Sequence, residues 1–404
     1  MIFFSFIKDA IKLILFNGSK KYYLWMSCLL FLSLLGFAAY CIQVQKGLSV
    51  TGMHDHVSWG LYISNFTFLV GLAAAAVMLV LPSYVMKDVD FSQAVLIGEG
   101  VAVAALIMCL MFVVADMGRP DRLWHMIPMI GFFNWPSSML TWDVLVLNGY
   151  LALNSLIPLY ILFSHYRKIK PNKSLYLPFM FLSILWAFGI HLVTAFLYAG
   201  LPARPFWHNA LLGPRFLASA FAAGPAFIIV VLTYLKSHKL YEVKEESINK
   251  LALIVTVAAQ INLLMIGSEI FTEFYHATEH TLSAQYLFMG IHGKNALVKW
   301  IWPALAMNAC STILLSIHPI RRQRKFLIPI CVMLFISIWI DKGMGLIIPG
   351  FIPSPLGEIV EYSPTLLEWT LTLGIWATGF AILTILIRVA IPILKGELYY
   401  NSNH

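Results

Sequence analysis

Between residues 112 and 126 the chain reads FVVADMGRPDRLWHM: an apolar run closes on Asp116, and Gly118, Arg119 and Pro120 carry it into Asp121 and Arg122. A carboxylate in that position has two readings. It caps the connection by pairing with Arg119 or Arg122, or it stands at a substrate pocket, accepting a proton while an arginine holds it in place. The two are compatible.

Further polar groups interrupt other apolar runs. The segment HDHVSWGLYISNFTFLVG, from His54 to Gly71, sets Ser58, Tyr62 and Asn65 at helical spacing on one face, with Trp59 beside them. Trp59 and Tyr62 fit an interfacial aromatic belt equally well. Asn65 is more demanding, because a buried amide must find a hydrogen-bond partner. His191, in FGIHLVTAFLY, is either a packing residue or a group that exchanges a hydrogen bond or a proton with a buried oxygen. In GSEIFTEFYHATEHTL, Glu269, Glu273, His276 and His280 share one face if the helix continues. A di-iron bundle requires two Glu-x-x-His motifs, and only Glu273 with His276 supplies one, so a solvated helix end or a proton path is expected instead. Glu99, Glu269 and Glu273 are the candidates for proton transfer, and Arg215, Asp341 and Lys342 complete the set of charged groups in or beside apolar runs.

Cys28, Cys41, Cys109, Cys310 and Cys331 are scattered with no CxxC pair, which argues against a zinc or iron-sulfur centre. Of the histidines only His191 lies well inside an apolar run, which argues against a haem with two axial histidines. No metal centre is expected in this chain.

The elements that must position these groups are membrane helices. Of the 404 residues 60% are hydrophobic and 11% charged, and the mean hydropathy is +0.81, far from soluble-domain composition. Crossing about 30 Å of hydrocarbon takes about 20 apolar residues. Ten such runs lie near 22–43, 57–81, 94–116, 140–164, 175–199, 214–236, 250–272, 296–316, 326–347 and 367–391. None alternates as a barrel strand would, so an all-α integral membrane protein is expected. Residues 1–16 are too short to span and suit an interfacial helix with no removed signal peptide. With the N-terminus inside, 19 of the 27 lysines and arginines, Lys87 among them, fall on cytoplasmic segments. The positive-inside rule then places both termini in the cytoplasm, and the net charge of +8 needs no nucleic-acid partner. The longest connections, 117–139, 273–295 and 342–366, lie on the outer side, so function is expected to face outward.

DMGRPDRLWHM, the turn from Trp135 to Met139 and Trp142 together resemble the NrfD-like family, the membrane subunits of polysulfide reductase and its relatives. VSWGLYISNFTFLVGLAAAA, HLVTAFLYAGLPARPFW, PRFLASAFAAGPA and EIFTEFY resemble its ten-span branch, typified by the DsrP and HmcC subunits of sulfur-metabolism complexes. The likeness runs through spans two to nine. It implies an N-terminal segment 1–21, a first span and outer loop 22–56, four-helix bundles over 57–199 and 200–347, and a last span with C-terminus over 348–404. It also implies electron exchange between menaquinone and an outer-face, ferredoxin-like iron-sulfur subunit, within a complex of further membrane and cytochrome subunits in the cytoplasmic membrane. The family's quinone pocket lies in the first bundle, which nominates Trp59, Tyr62, Asn65, Asp116, Arg119 and His191. One departure stands out: polysulfide reductase has a histidine near the quinone on the first bundle helix, where this chain has Tyr62 and Asn65. Trp124, Phe132, Phe133, Trp135, Phe206 and Trp207 are expected to form docking surface or membrane anchors. A structural anchor without quinone chemistry and a secondary transporter with broken midplane helices are the rival expectations.

Overall fold

The computed structural model describes residues 2–80, 82–83, 94–127, 129–275 and 280–401. Among these, ten helices are long and apolar enough to cross a membrane: Lys20–Lys46, Leu61–Val80, Val95–Asp116, Met139–Tyr166, Lys173–Ala199, Leu212–Ser237, Glu245–Tyr275, Val298–Ser316, Arg324–Phe351 and Leu366–Leu394. They are spans one to ten, and no strand accompanies them among the described residues. The protein is an all-α, multi-pass membrane protein. Each run satisfies its own backbone polar groups, the condition hydrocarbon imposes.

Span two begins four residues later than its hydropathy suggests. Val57 folds back to exchange backbone hydrogen bonds with His54 at 3.2 and 3.0 Å, and the Leu61 amide is then capped by the Tyr362 hydroxyl at 2.8 Å. Ser58 is therefore exposed and Trp59 precedes the helix, so neither shares a helical face with Tyr62 and Asn65. Tyr362 also donates to Glu368 at 2.6 Å, and Glu368 accepts from the Gly52 amide at 2.7 Å while closing a capping box with Thr365. Burial, then the Glu368 carboxylate, push the Tyr362 phenol well above its ordinary pKa. One carboxylate thus ties together the starts of spans two and ten.

Spans two, three, four and five pack in a ring, and six, seven, eight and nine in another; span six meets two and five, and span nine meets two. Span ten lies against one and three. Span two is buried along nearly its whole length, whereas span one turns Leu24, Phe31, Leu34 and Phe37 outward. The helix Ile2–Leu15 lies across span ten, with Phe6 edge-on to Tyr166 at 5.2 Å and Tyr166 bonded to Asp9 at 2.6 Å. Phe3, Phe4 and Ile11 of that helix stay exposed.

Two spans are interrupted, which the hydropathy pattern does not reveal. Span two passes through a 3-10 turn at Ala74–Ala76. Span nine is α-helical over Arg324–Lys342, breaks at Gly343 and resumes at Met344–Ile347. Gly343 approaches span two so closely that a Cβ there would sit 3.2 Å from the Ser64 carbonyl oxygen and 2.5 Å from that of Trp339.

Candidate functional site

The interior of the first ring holds a polar cluster assembled from six spans. On span five His191, Thr194 and Tyr198 follow i, i+3, i+7, so one face presents all three. On span three Cys109, Phe112 and Asp116 have the same spacing. Span two adds Thr67, span four Asp143, span six Phe216 and span nine Lys342. Thr194 donates to Asp143 at 2.8 Å, Thr67 and Tyr198 share a hydrogen bond at 2.5 Å, and the Cys109 thiol points to the Phe66 carbonyl at 3.8 Å. The Lys342 ammonium lies 3.3 Å from the Phe216 carbonyl and 4.2 Å from the centre of its ring.

What distinguishes this interior is polar atoms left over. Both ring nitrogens of His191 are fully buried with no partner outside its own helix, where the Ala187 backbone lies one turn back, and Oδ1 of Asp116 is buried without a partner. Asp116 lies within electrostatic reach of Glu368, Tyr62 and Tyr198, and Lys342 within reach of His191. An orphaned buried polar group costs about 1–3 kcal/mol, so a site that keeps several is suited to a ligand bringing its own oxygens. Apolar rings border it, Phe221 with its centre 6.5 Å from that of His191 and Phe216 with its centre 6.1 Å from that of Tyr198.

The residues nominated from sequence do not all converge there. Tyr62 donates to Gln43 of span one at 2.7 Å, and Gln43 donates to the Ala115 carbonyl at 2.6 Å, so Tyr62 flanks Asp116 through a bridge. The Asn65 carbonyl oxygen accepts from two indoles, Trp339 at 3.0 Å and Trp376 at 2.9 Å, and its amide donates to Leu61 at 2.8 Å. Asn65 therefore staples span two to nine and ten. Trp59 stacks on Trp207 with ring centres 5.8 Å apart and meets Tyr198 edge-on at the same separation. Arg119 does not hold Asp116. It makes a two-pronged, exposed pair with Asp121 at 2.9 and 2.8 Å, and that pair lowers the Asp121 pKa and raises that of Arg119. Phe206 and Trp207, expected as docking surface, are buried, Trp207 donating to the Leu346 carbonyl at 2.8 Å; Trp124, Phe132 and Trp135 are exposed. Asp143 was missed from the sequence, although it stands within the fourth apolar run, and Lys342 was legible only as a charged residue ending the ninth; nothing in the sequence aims either inward.

Glu99 is buried in span three with Oε2 unpartnered, within reach of Tyr150 of span four and away from the Asp116 end. In the second ring Arg215 bridges two carboxylates, Asp341 through both oxygens at 2.8 Å and Glu269 through a short contact. Glu273, with Oε2 unpartnered, lines the same cavity beside Phe206 and Leu287. Deeper, Asn262 of span seven and Asn308 and Ser311 of span eight are buried with their side-chain polar atoms unpartnered. Glu269 and Glu273 lie one turn apart on span seven, described as far as Tyr275, and His280 opens the described helix His280–Phe288; the face drawn through Glu269, Glu273, His276 and His280 runs across residues outside the described ones. His276 and Lys87 lie outside the described residues. No cluster of three or more His, Cys, Asp or Glu suited to a metal occurs among the described residues.

A family model described as polysulphide reductase, NrfD, matches residues 49–340. The chain is 23% identical over 427 residues to a selenate reductase subunit of Mesobacillus selenatarsenatis, covering 94% of this chain and 96% of that one. It is 22% identical over 389 residues to the Hdr-like menaquinol oxidoreductase integral membrane subunit of Archaeoglobus fulgidus, covering 92% and 94%. Similarity to a putative dimethyl sulfoxide reductase membrane subunit of Halobacterium salinarum is 22% over 344 residues, or 81% and 77% of the two chains.

Proposed function

This chain belongs to the polysulphide reductase NrfD family, and on that premise we propose that it is the quinone-reacting membrane subunit of a multi-subunit oxidoreductase. The observation that carries the reading is the set of unpartnered polar atoms inside the first ring, at His191 and Asp116. A quinol, when bound and oxidised, supplies two electrons and two protons, and its pocket needs apolar walls with hydrogen-bonding groups at two ring oxygens. The residues present fit that requirement. His191 contacts the deeper oxygen and Asp116, near the end of span three, accepts a proton from the shallower one. Tyr62 and Trp59 wall the pocket mouth, and Asn65 holds span two in register with nine and ten. Arg119 lies outside the pocket and belongs to the surface that meets a partner.

Menaquinone is the carrier this reading selects, supported by the naming of the Archaeoglobus relative as a menaquinol oxidoreductase subunit. The other two relatives are named as subunits of reductases, which supports assembly with redox subunits. The partner is a ferredoxin-like iron-sulfur subunit docked over the exposed Trp124, Phe132 and Trp135 turn, with further membrane and cytochrome subunits alongside. Resemblance to the ten-span branch supports a role for the complex in sulfur metabolism. Both termini lie on the cytoplasmic side of the cell membrane. Glu99 conducts protons from the first ring, and Glu273, Glu269 and the buried amides of Asn262 and Asn308 mark a second hydrophilic track.

Solvent extraction of the purified protein followed by mass analysis tests the reading, together with the electron paramagnetic resonance signal of the partner's cluster on adding a quinone analogue. Near-stoichiometric menaquinone and a shifted signal are expected. Quinone-free protein with an unmoved signal would instead leave a structural anchor.

A further inference from the structure

Resting on that quinone reading, we infer that Lys342 of span nine is a further substrate-contacting residue: its ammonium reaches out of the second ring into the first and donates a hydrogen bond to the quinone oxygen that faces His191. The starting point is a charge with too few partners. Lys342 is 4% exposed, and an ammonium buried in a membrane is costly unless its donors are engaged. It has three donors. Its one hydrogen bond is long, 3.3 Å to the Phe216 carbonyl, with the Phe216 ring beneath it.

The carboxylate that would ordinarily neutralise it is occupied: Asp341, its neighbour in sequence, is gripped through both oxygens by Arg215. Adjacent residues on a helix point about 100° apart, so Asp341 serves the second ring while Lys342 enters the first. Among the described residues Lys342 forms no ion pair.

Two features hold the amine where it is. Lys342 is the last α-helical residue before the break at Gly343, and a cation is favoured at a helix C-terminus. Across from it, span two has Gly71, where a Cβ would stand 3.0 Å from the Lys342 nitrogen. The glycine is what gives the ammonium room between spans two and six. Within electrostatic reach lie the unpartnered imidazole of His191 and the Cys109 thiol. A cation and an imidazole, both short of partners and within electrostatic reach of each other, suit an oxygen that carries negative charge when its proton leaves. The amine acts by binding and orienting that oxygen.

The test is a titration of purified full-length protein with a fluorescent hydroxyquinoline N-oxide, a quinone analogue, comparing wild type with Lys342→Met and Gly71→Ala, each also melted in detergent. Loss of a charged hydrogen bond predicts analogue binding weaker by about 10- to 100-fold in Lys342→Met. Its melting temperature should hold or rise, since an underpaired buried charge has been removed. Gly71→Ala keeps the charge but crowds the amine, whose nitrogen must give way by a few tenths of an ångström, and should weaken binding by about 3-fold on the scale of one neutral hydrogen bond. If wild type binds and both variants bind equally well, Lys342 is not a contact, although the quinone reading stands. If wild type does not bind, both fall together. Should Lys342→Met fail to fold, Gly71→Ala decides by the same criterion.

Discussion

Replacing Asn65 with leucine separates two roles that one amide could have, staple or quinone ligand. Leucine has the same branching and number of heavy atoms, so no cavity opens, and the lost hydrogen bonds set the least effect expected, with the bulkier methyl groups adding to it. The Asn65 oxygen accepts from Trp339 and Trp376 at 3.0 and 2.9 Å, and both indole N–H groups would be left without it. Side-chain hydrogen bonds between membrane helices are worth roughly 0.6–1.7 kcal/mol each. Two of them, acting on a junction of three spans, predict a loss of about 1–3.5 kcal/mol. In a chain this long that corresponds to a melting temperature lower by on the order of 2–5 °C. The assay is thermal unfolding in detergent followed by tryptophan emission, with Trp376→Phe as the partner in a double-mutant cycle. The two substitutions should be less than additive, because each removes the same bond. Analogue affinity should change by less than about 3-fold. Unchanged melting combined with lost analogue binding would refute the staple and return Asn65 to the quinone pocket.

Asp116→Asn should reduce quinol-dependent reduction of the partner by about 100-fold or more, the scale of a lost proton acceptor, with the complex still assembling; unimpaired turnover would remove Asp116 from the site. Arg215→Met strands Glu269 and Asp341 as buried carboxylates and should cost about 3–5 kcal/mol, read as a lower melting temperature. Adding Glu269→Gln and Asp341→Asn should restore most of it. Arg119→Ala breaks an exposed pair and should leave the melting of the isolated protein unaltered, while affinity for the proposed iron-sulfur partner, measured by co-purification at increasing salt, falls.

How far the site was legible depended on distance along the chain. Helical period relates residues within a turn or two: His191, Thr194 and Tyr198 share a face because span five is a helix, although only His191 was singled out from the sequence. Asn65 announced that it needed partners, yet Trp339 and Trp376 lie 274 and 311 positions away, and no local rule points to them. Asp116 and Arg119 illustrate the opposite failure. Three residues apart, they would be neighbours on a helix, but the helix ends at Asp116 and Pro120 opens a 3-10 turn, which aims Arg119 at Asp121 in solvent. Phe206 and Trp207 were misjudged for a similar reason. They follow a span and read as surface, but Phe351 of span nine folds over Trp207, with ring centres 4.9 Å apart.

The amino-acid order by itself determined the ten spans and the short list of polar groups that must find a partner or a task. Both follow from the cost of exposing backbone or charge to hydrocarbon, a quantity set residue by residue. Which of those groups would be satisfied, and which left open to a ligand, was decided only when the spans packed. The Gly343 break is the clearest case: it lies where span nine meets span two, with Asp341 bonded to Arg215 on one side and Lys342 within electrostatic reach of His191 on the other. Hydropathy is a sum along the chain, whereas that choice depends on where distant helices cross.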